Sequence, residues 1–370
     1  MAKTRSHWYL VAVALSLALL TGTATAAGAS GSSLSPAAQT NSYAVTNLVS
    51  DQPGVAKNLD PNLVNAWGLV AGPSTPWWVA DNGTDVSTLY DGDGNVLPLV
   101  VQVQSAPTGI VFNGGSGFIV SDGTHSGPSV FMFATEEGTI LGWNPNVPPP
   151  PPSTQAFVVV DRSDVGAIYK GLAIASTQDG DFIYATDFHN ARVDMFNSKF
   201  KLVTPPGAFV DPKIPSGYGP FGIQNIGGVL FVTYAKQDAD AEDDVAGQGH
   251  GFVDMYDTSG MFLGRVATHD QLNSPWGLTL APDSFGRFGG DLLIGNFGNG
   301  QINAYRQRSG GQFTHSGKLQ SPRGKTLAID GLWALQFGNG GPAGSTDTLF
   351  FTAGPDDESH GLFGKIEAAQ

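Results

Sequence analysis

One phrase recurs six times along this chain and limits what it can fold into: a glycine followed by Leu or Ile inside a short apolar strand. The pairs are Gly68-Leu69, Gly109-Ile110, Gly171-Leu172, Gly222-Ile223, Gly277-Leu278 and Gly331-Leu332, separated by 41, 62, 51, 55 and 54 residues. The fullest copy runs over 275–305, where WGLTL, DLLIGN and QINAY are three short strands divided by turn residues. A repeat of that length, holding about four strands, predicts an all-β, six-bladed β-propeller.

Composition agrees. Glycine (50) and proline (24) supply many tight turns in 370 residues, and the strands between them alternate apolar and polar residues. With a net charge of −14, the chain is repelled by nucleic acid and by anionic lipid surfaces. The absence of cysteine excludes disulfides, thiolate metal sites and a cysteine nucleophile.

Residues 1–27 read as a secretory signal. Lys3 and Arg5 precede an apolar run from Trp8 to Leu20, and Ala24-Thr25-Ala26 is a small-x-small cleavage site. Residues 28–42 are small and polar, a flexible leader. The expected product is exported, periplasmic or extracellular, with no membrane span in its mature part and a propeller over 43–367.

Within the repeats, blade 2 is expected to use PTGIVFN, GFIVSDG, SVFMFATEEG and TILGW, and blade 3 to end on KFKLV. The proline run 148–152 cannot donate to a sheet ladder and reads as an exposed excursion. Blade 4 carries an acidic insertion, Lys236 to Gly249, with Asp238, Asp240, Glu242, Asp243 and Asp244. Blade 6 is one strand short, whereas Tyr43 to Ser50 has no blade of its own. Placing that strand in blade 6 closes the ring and removes an open edge.

The starts of first strands and the ends of second strands should open on one face. That mouth is expected to present Trp67, Thr108, Lys170, Phe221, Trp276 and Asp330, each preceding its glycine, beside Asp81, Asp122, Asp187, Tyr234 and Asn296. An aromatic-lined hollow with a few polar groups suits a small molecule, a glycan or a protein segment. The competing reading is structural, because Asp and Asn close turns by bonding nearby amides.

Other chemistry finds little support. His125, His189, His250 and His360 fall between second and third strands, where one aligned column accepts Thr, Asn and His, as turns do; no helical metal spacing occurs. The acidic insertion lacks the glycine and terminal Glu of an EF-hand loop. No G-x-S-x-G is present.

Asn190-Ala191-Arg192-Val193 with Asp194-Met195-Phe196, and Pro275-x-Gly277-Leu278 before an aliphatic strand, resemble the NHL repeat. Over residues 43–367 the chain resembles a family of exported bacterial propellers known as hypothetical proteins, some with a C-terminal sorting tail. Six-bladed lactonases of the gluconolactonase type imply a further comparison. They hold calcium at the mouth with Glu, Asn and Asp, two of these preceding a first-strand glycine. Asp330 matches that pattern, whereas Lys170 stands in place of the Asn and Trp67 in place of the Glu. An ammonium there opposes a divalent cation, so Lys170 is expected to act as the positive centre, facing Asp187 and Asp122.

The sequence therefore predicts an exported binding or scaffold propeller of unspecified ligand. The alternatives are a calcium-dependent ester or lactone hydrolase using Asp122, Asp187 and Asp330, and a surface-structural protein with a packed mouth.

Overall fold

A computed structural model describes residues 40–369; the signal and most of the leader lie outside them. These residues form a six-bladed β-propeller. Each blade begins with an inner strand, and these are Ala66–Val70, Pro107–Phe112, Tyr169–Thr177, Tyr218–Ile226, Pro275–Leu280 and Leu332–Phe337. In every sheet the inner strand is terminal, paired on one side only. The ring is closed as the sequence requires. Tyr43–Ser50 pairs antiparallel with Leu362–Ala368, from Tyr43 opposite Ala368 to Ser50 opposite Leu362, with a one-residue shift between Asn47 and Val49. A two-residue strand, Asn58–Leu59, adds a fifth member to that sheet.

Three details depart from expectation. In blade 2 the inner strand pairs directly with Phe131–Thr135, followed by Thr139–Trp143 and Phe157–Asp161. The segment GFIVSDG leaves the sheet instead, and Ile119–Ser121 makes a separate hairpin with Ser126–Pro128. Phe131–Thr135 wins the place because its five residues are all buried, whereas Ile119 and Ser121 are exposed. Blade 3 has three strands; KFKLV contributes only an isolated bridge between Phe196 and Leu202. The proline run is an exposed excursion at Pro149–Pro152, pinned where Val147 N–H meets Asn144 O at 3.1 Å and Ser153 N–H meets Pro145 O at 2.8 Å.

The third departure concerns blade 6. Register aligns Ala66, Pro107, Tyr169, Pro220, Pro275 and Leu332, opposite Asp81, Thr135, Asp187, Tyr234, Asn296 and Ala353. The next inner-strand residue is therefore Trp333 in blade 6, and the glycine position is held by Ala334. Gly331 belongs to the preceding turn, with φ +61°, so Asp330 does not share the column of Trp67 and Lys170.

The glycines serve packing between neighbouring inner strands. A Cβ on Gly171 would lie 2.9 Å from Phe221 O, and one on Gly222 would meet the Trp276 carbonyl, 2.8 Å from its carbon. The ladder slips at this step in all six blades, blades 3, 4 and 6 among them. Buried threonines repair it in these three: Gly171 N–H donates to Thr186 Oγ1 at 2.7 Å, Gly222 N–H to Thr233 Oγ1 at 2.7 Å and Ala334 N–H to Thr352 Oγ1 at 3.1 Å. Thr186 passes a bond to Phe221 O at 2.7 Å, and Thr352 one to Trp67 O at 2.5 Å, across the closing seam. The Leu or Ile after each glycine packs between blades: Ile110 joins the cluster shared by blades 1 and 2, Ile223 that of blades 3 and 4.

Candidate functional site: a plugged mouth above an open well

At the end of the channel where inner strands begin, aromatic side chains fill the space. Trp67 stacks on Trp333 at 3.7 Å between ring centroids, and Phe297 stacks on Trp333 at 3.9 Å. Trp276 stands edge-on to Trp67 at 6.2 Å and to Trp333 at 5.8 Å, and Phe221 is edge-on to Trp333 at 5.8 Å. Trp67 and Trp333 are 2% and 1% exposed. Two indoles are fixed by hydrogen bonds: Trp276 Nε1 donates to Lys170 O at 3.2 Å, and Trp333 Nε1 to Asn65 Oδ1 at 3.1 Å. The expected aromatic mouth is thus a plug.

Lys170 lies over this plug, 2% exposed, its ammonium 5.2 Å from the Trp67 ring centroid. Nζ donates to Glu136 Oε1 at 2.5 Å and to Asp243 Oδ1 at 3.1 Å. Burial works against the charged ammonium, but Glu136 and then Asp243 outweigh it, so the Lys170 pKa is raised. A relay continues around the rim. Asn82 Nδ2 donates to Glu136 Oε2 at 2.9 Å, Asn65 Nδ2 to Asn82 Oδ1 at 3.1 Å, and Asn65 Nδ2 also to Glu358 Oε2 at 2.6 Å. Burial raises the Glu358 carboxyl, and likewise Asp244. Glu358 ends three successive residues with positive φ, Asp356 at 55°, Asp357 at 50° and Glu358 at 64°, a conformation that L-residues adopt only when their surroundings hold it.

The acidic residues selected from the sequence sit elsewhere. Asp81, Asp187 and Asn296 are buried at the ends of second strands. There Asp81 Oδ2 accepts from Thr88 N–H at 2.9 Å and Asp187 Oδ2 from Asn190 Nδ2 at 2.8 Å, while Asn296 Nδ2 donates to Gln271 O at 2.8 Å. Tyr234 shares that column and bonds Tyr256 at 2.7 Å, and Thr108 donates to Tyr169 O at 2.7 Å. Asp122 caps the outlying hairpin, held down to about 2 by the backbone N–H and ring of His125. Asp330 is exposed and accepts from Asp356 N–H at 3.0 Å. Beside Trp67, Lys170, Phe221 and Trp276, which do lie there, the mouth receives Asn82 and Phe297, each one position after an expected residue, and Glu136, which follows Thr135 and not the expected Asp122. Strand alternation explains this, because successive side chains take opposite faces. Glu136 escaped notice because its strand had been read as the third of blade 2.

The calcium ligand set implied by the lactonase comparison does not assemble. Asp122, Asp187 and Asp330 lie apart, and Lys170 occupies the space between the mouth carboxylates. Among the described residues no group of three or more His, Asp or Glu is arranged to hold a metal ion. The four histidines are dispersed. His125 pairs with Asp122 at 3.0 Å, His250 meets Val245 O at 2.7 Å, and His360 pairs with Asp51 at 2.7 Å; His189 borders a shallow groove with Glu137 and Glu242.

The other end of the channel is open. Beneath Trp276 is a cavity of about 30 Å³, and beyond it a recess of about 220 Å³; both are lined by Leu69, Ile110, Gln224 and Gln336. Their remaining walls come from the glycine column and the ends of the inner strands, including Phe112, Ile174 and Asn225. None of the lining residues is charged.

Propellers with a side-chain plug and a neutral well are the class this geometry defines, and sequence relatives give the family. The chain is 33% identical to "Uncharacterized protein R648" of Acanthamoeba polyphaga mimivirus, over 90% of this chain and 82% of that one. It is 32% identical to "Uncharacterized protein L690" of the same virus, over 90% and 87%. It belongs to the family of these uncharacterised proteins. They are viral, where the resemblance had implied exported bacterial proteins. No protein-family model matches the chain. Among solved structures it is similar to virginiamycin B lyase from Staphylococcus aureus (TM-score 0.50, 12% identity, 88% of this chain and 100% of that one). It is equally similar to a protein of unknown function from Bacteroides thetaiotaomicron (TM-score 0.51, 12% identity, 88% and 76%). At such identity these likenesses speak for the fold alone.

Proposed function

We propose that this protein is a binding or scaffold propeller, exported by residues 1–27, that takes its ligand at the open end of the channel and not at the mouth. The observation supporting this reading is the contrast between the two ends. Trp67, Trp276, Trp333 and Phe297 fill one, with Lys170 held over them, whereas the other contains a recess of about 220 Å³. A buried, doubly paired lysine is a poor partner for calcium, which argues against the metal-dependent hydrolase. Lys170 acts instead as an internal counter-ion that holds the blade 4 insertion over blade 3.

Fragment soaks of crystals of the secreted protein test this, together with mass spectrometry of its N-terminus. Fragments should collect in the recess, and the mature chain should begin near Ala27. Fragments or calcium bound among Glu136, Asp243 and Glu358 would overturn the reading. No bound fragment anywhere would favour a purely structural propeller.

A further inference from the structure

The two cavities beneath Trp276 share Leu69, Ile110, Gln224 and Gln336 and form one blind well. We propose that this well takes a small uncharged molecule ending in a primary carboxamide. The proposal rests on binding at the open end and specifies its chemistry.

Four observations lead there. First, no charged side chain lines either cavity, so an ion entering would leave water without compensation. Second, each inner strand pairs on one side only. Its other edge offers backbone N–H and C=O groups toward the axis, and a ligand must both donate and accept to satisfy them. Third, Gln224 and Gln336 line the well with their side-chain amides unbonded among the described residues. A carboxamide gives one N–H and receives at one C=O, which is what another carboxamide complements. Fourth, the inner cavity of about 30 Å³ has room for about two to three water-sized groups, enough for a CONH2 end and little more. The amide must therefore be terminal and unsubstituted. The apolar remainder of the molecule then meets Leu69, Ile110 and Phe112 in the wider recess. A polyol would set hydroxyls against those aliphatic walls.

Acrylamide tests the idea, being a primary carboxamide that also quenches tryptophan. Trp276 lines the inner cavity and, at 9% exposed, is the most accessible of the buried indoles. With the secreted protein, quenching should contain a saturable component that leaves the fluorescence lifetime unchanged. Gln224→Leu with Gln336→Leu should weaken that component about tenfold, through two lost hydrogen bonds. Gln336→Glu keeps the side chain's shape but cannot donate when ionised, and should lose it comparably. Purely collisional quenching of the wild type would overturn the proposal, as would a saturable component unchanged in both variants. Displacement by glycerol at matched concentration would reassign the well to polyols. Fragments bound in the recess without saturable acrylamide quenching would defeat the carboxamide assignment and leave the binding reading standing.

Discussion

Gly222→Ala should destabilise this ring far more than an alanine placed elsewhere in a strand. The new Cβ would fall 2.8 Å from the Trp276 carbonyl carbon, nearer still to its oxygen, and 3.1 Å from Thr233 Oγ1. Ordinary carbon contacts lie at about 3.5–4.0 Å, so the inner strands of blades 4 and 5 must separate by about 1 Å. Both are backbone, and neither can rotate away. Overpacking of this kind costs about 1–3 kcal/mol, offset by about 0.4–1 kcal/mol from the reduced freedom of the unfolded chain. A net loss of about 1–2 kcal/mol follows, which lowers the melting temperature by several degrees at roughly 2–4 °C per kcal/mol. Urea unfolding followed by tryptophan fluorescence measures it, with the slope unchanged. The control is Gly264→Ala in the outer strand Phe262–Thr268, where the nearest atom is the flexible Met255 Cε at 3.4 Å; it should stay within about 0.5 kcal/mol. Equal effects of the two substitutions would refute the packing argument for the glycine column.

Removing residues 40–50 leaves Leu362–Ala368 with an open edge; aggregation or a large fall in melting temperature is expected, and a soluble product that melts like the parent would contradict closure. Lys170→Met leaves Glu136 and Asp243 facing each other without their ammonium. Stability at pH 7 should drop by about 2 kcal/mol, less than the 3–5 kcal/mol of a fully buried pair because Asp243 is exposed, and adding Glu136→Gln should restore much of it. No restoration by the second substitution would show that the loss is one of packing. The pH profile of the parent has its own sign. Burial raises Asp254 to about 6 in spite of Arg265, and raises Asp187, Asp244 and Glu358. A raised carboxyl holds its proton more tightly in the folded state, so the stability it contributes is complete below about pH 4 and lost as pH rises through about 6. The Asp254 part amounts to roughly 3 kcal/mol at most. Thermal melts should therefore fall between pH 4 and 7, and Asp254→Asn should flatten that fall; a rise across the window would contradict it.

The blade count and ring closure were legible because glycine, turn residues and alternating strands recur at nearly fixed distances, and because Tyr43 to Ser50 had only one place to go. The site was less legible for three physical reasons. Local β-pattern does not say whether a strand joins its sheet, so GFIVSDG displaced SVFMFATEEG in the reading and hid Glu136. A Gly-Leu pair can also arise in a turn, so Gly331-Leu332 masked the true match at Ala334-Leu335 and drew attention to Asp330. Asp81 and Asp187 end the right strands but point into the blade, and only their neighbours reach the mouth. Lys170 is buried at the mouth, but it pairs with Glu136 and Asp243 and not with the expected Asp187 and Asp122; these partners come from loops, whose reach sequence spacing does not encode.

The hydrogen-bonded seam between Tyr43–Ser50 and Leu362–Ala368 joins residues more than 300 positions apart. During synthesis the first strand of the ring is therefore the last to find its place. It must wait, with the edge that takes Leu362–Ala368 unpaired, until that strand has been made. Because closure entropy grows only slowly with loop length, the delay is kinetic more than energetic. Contacts this remote in sequence place the chain among slowly folding topologies, and during that interval an exposed β-edge needs protection from other chains.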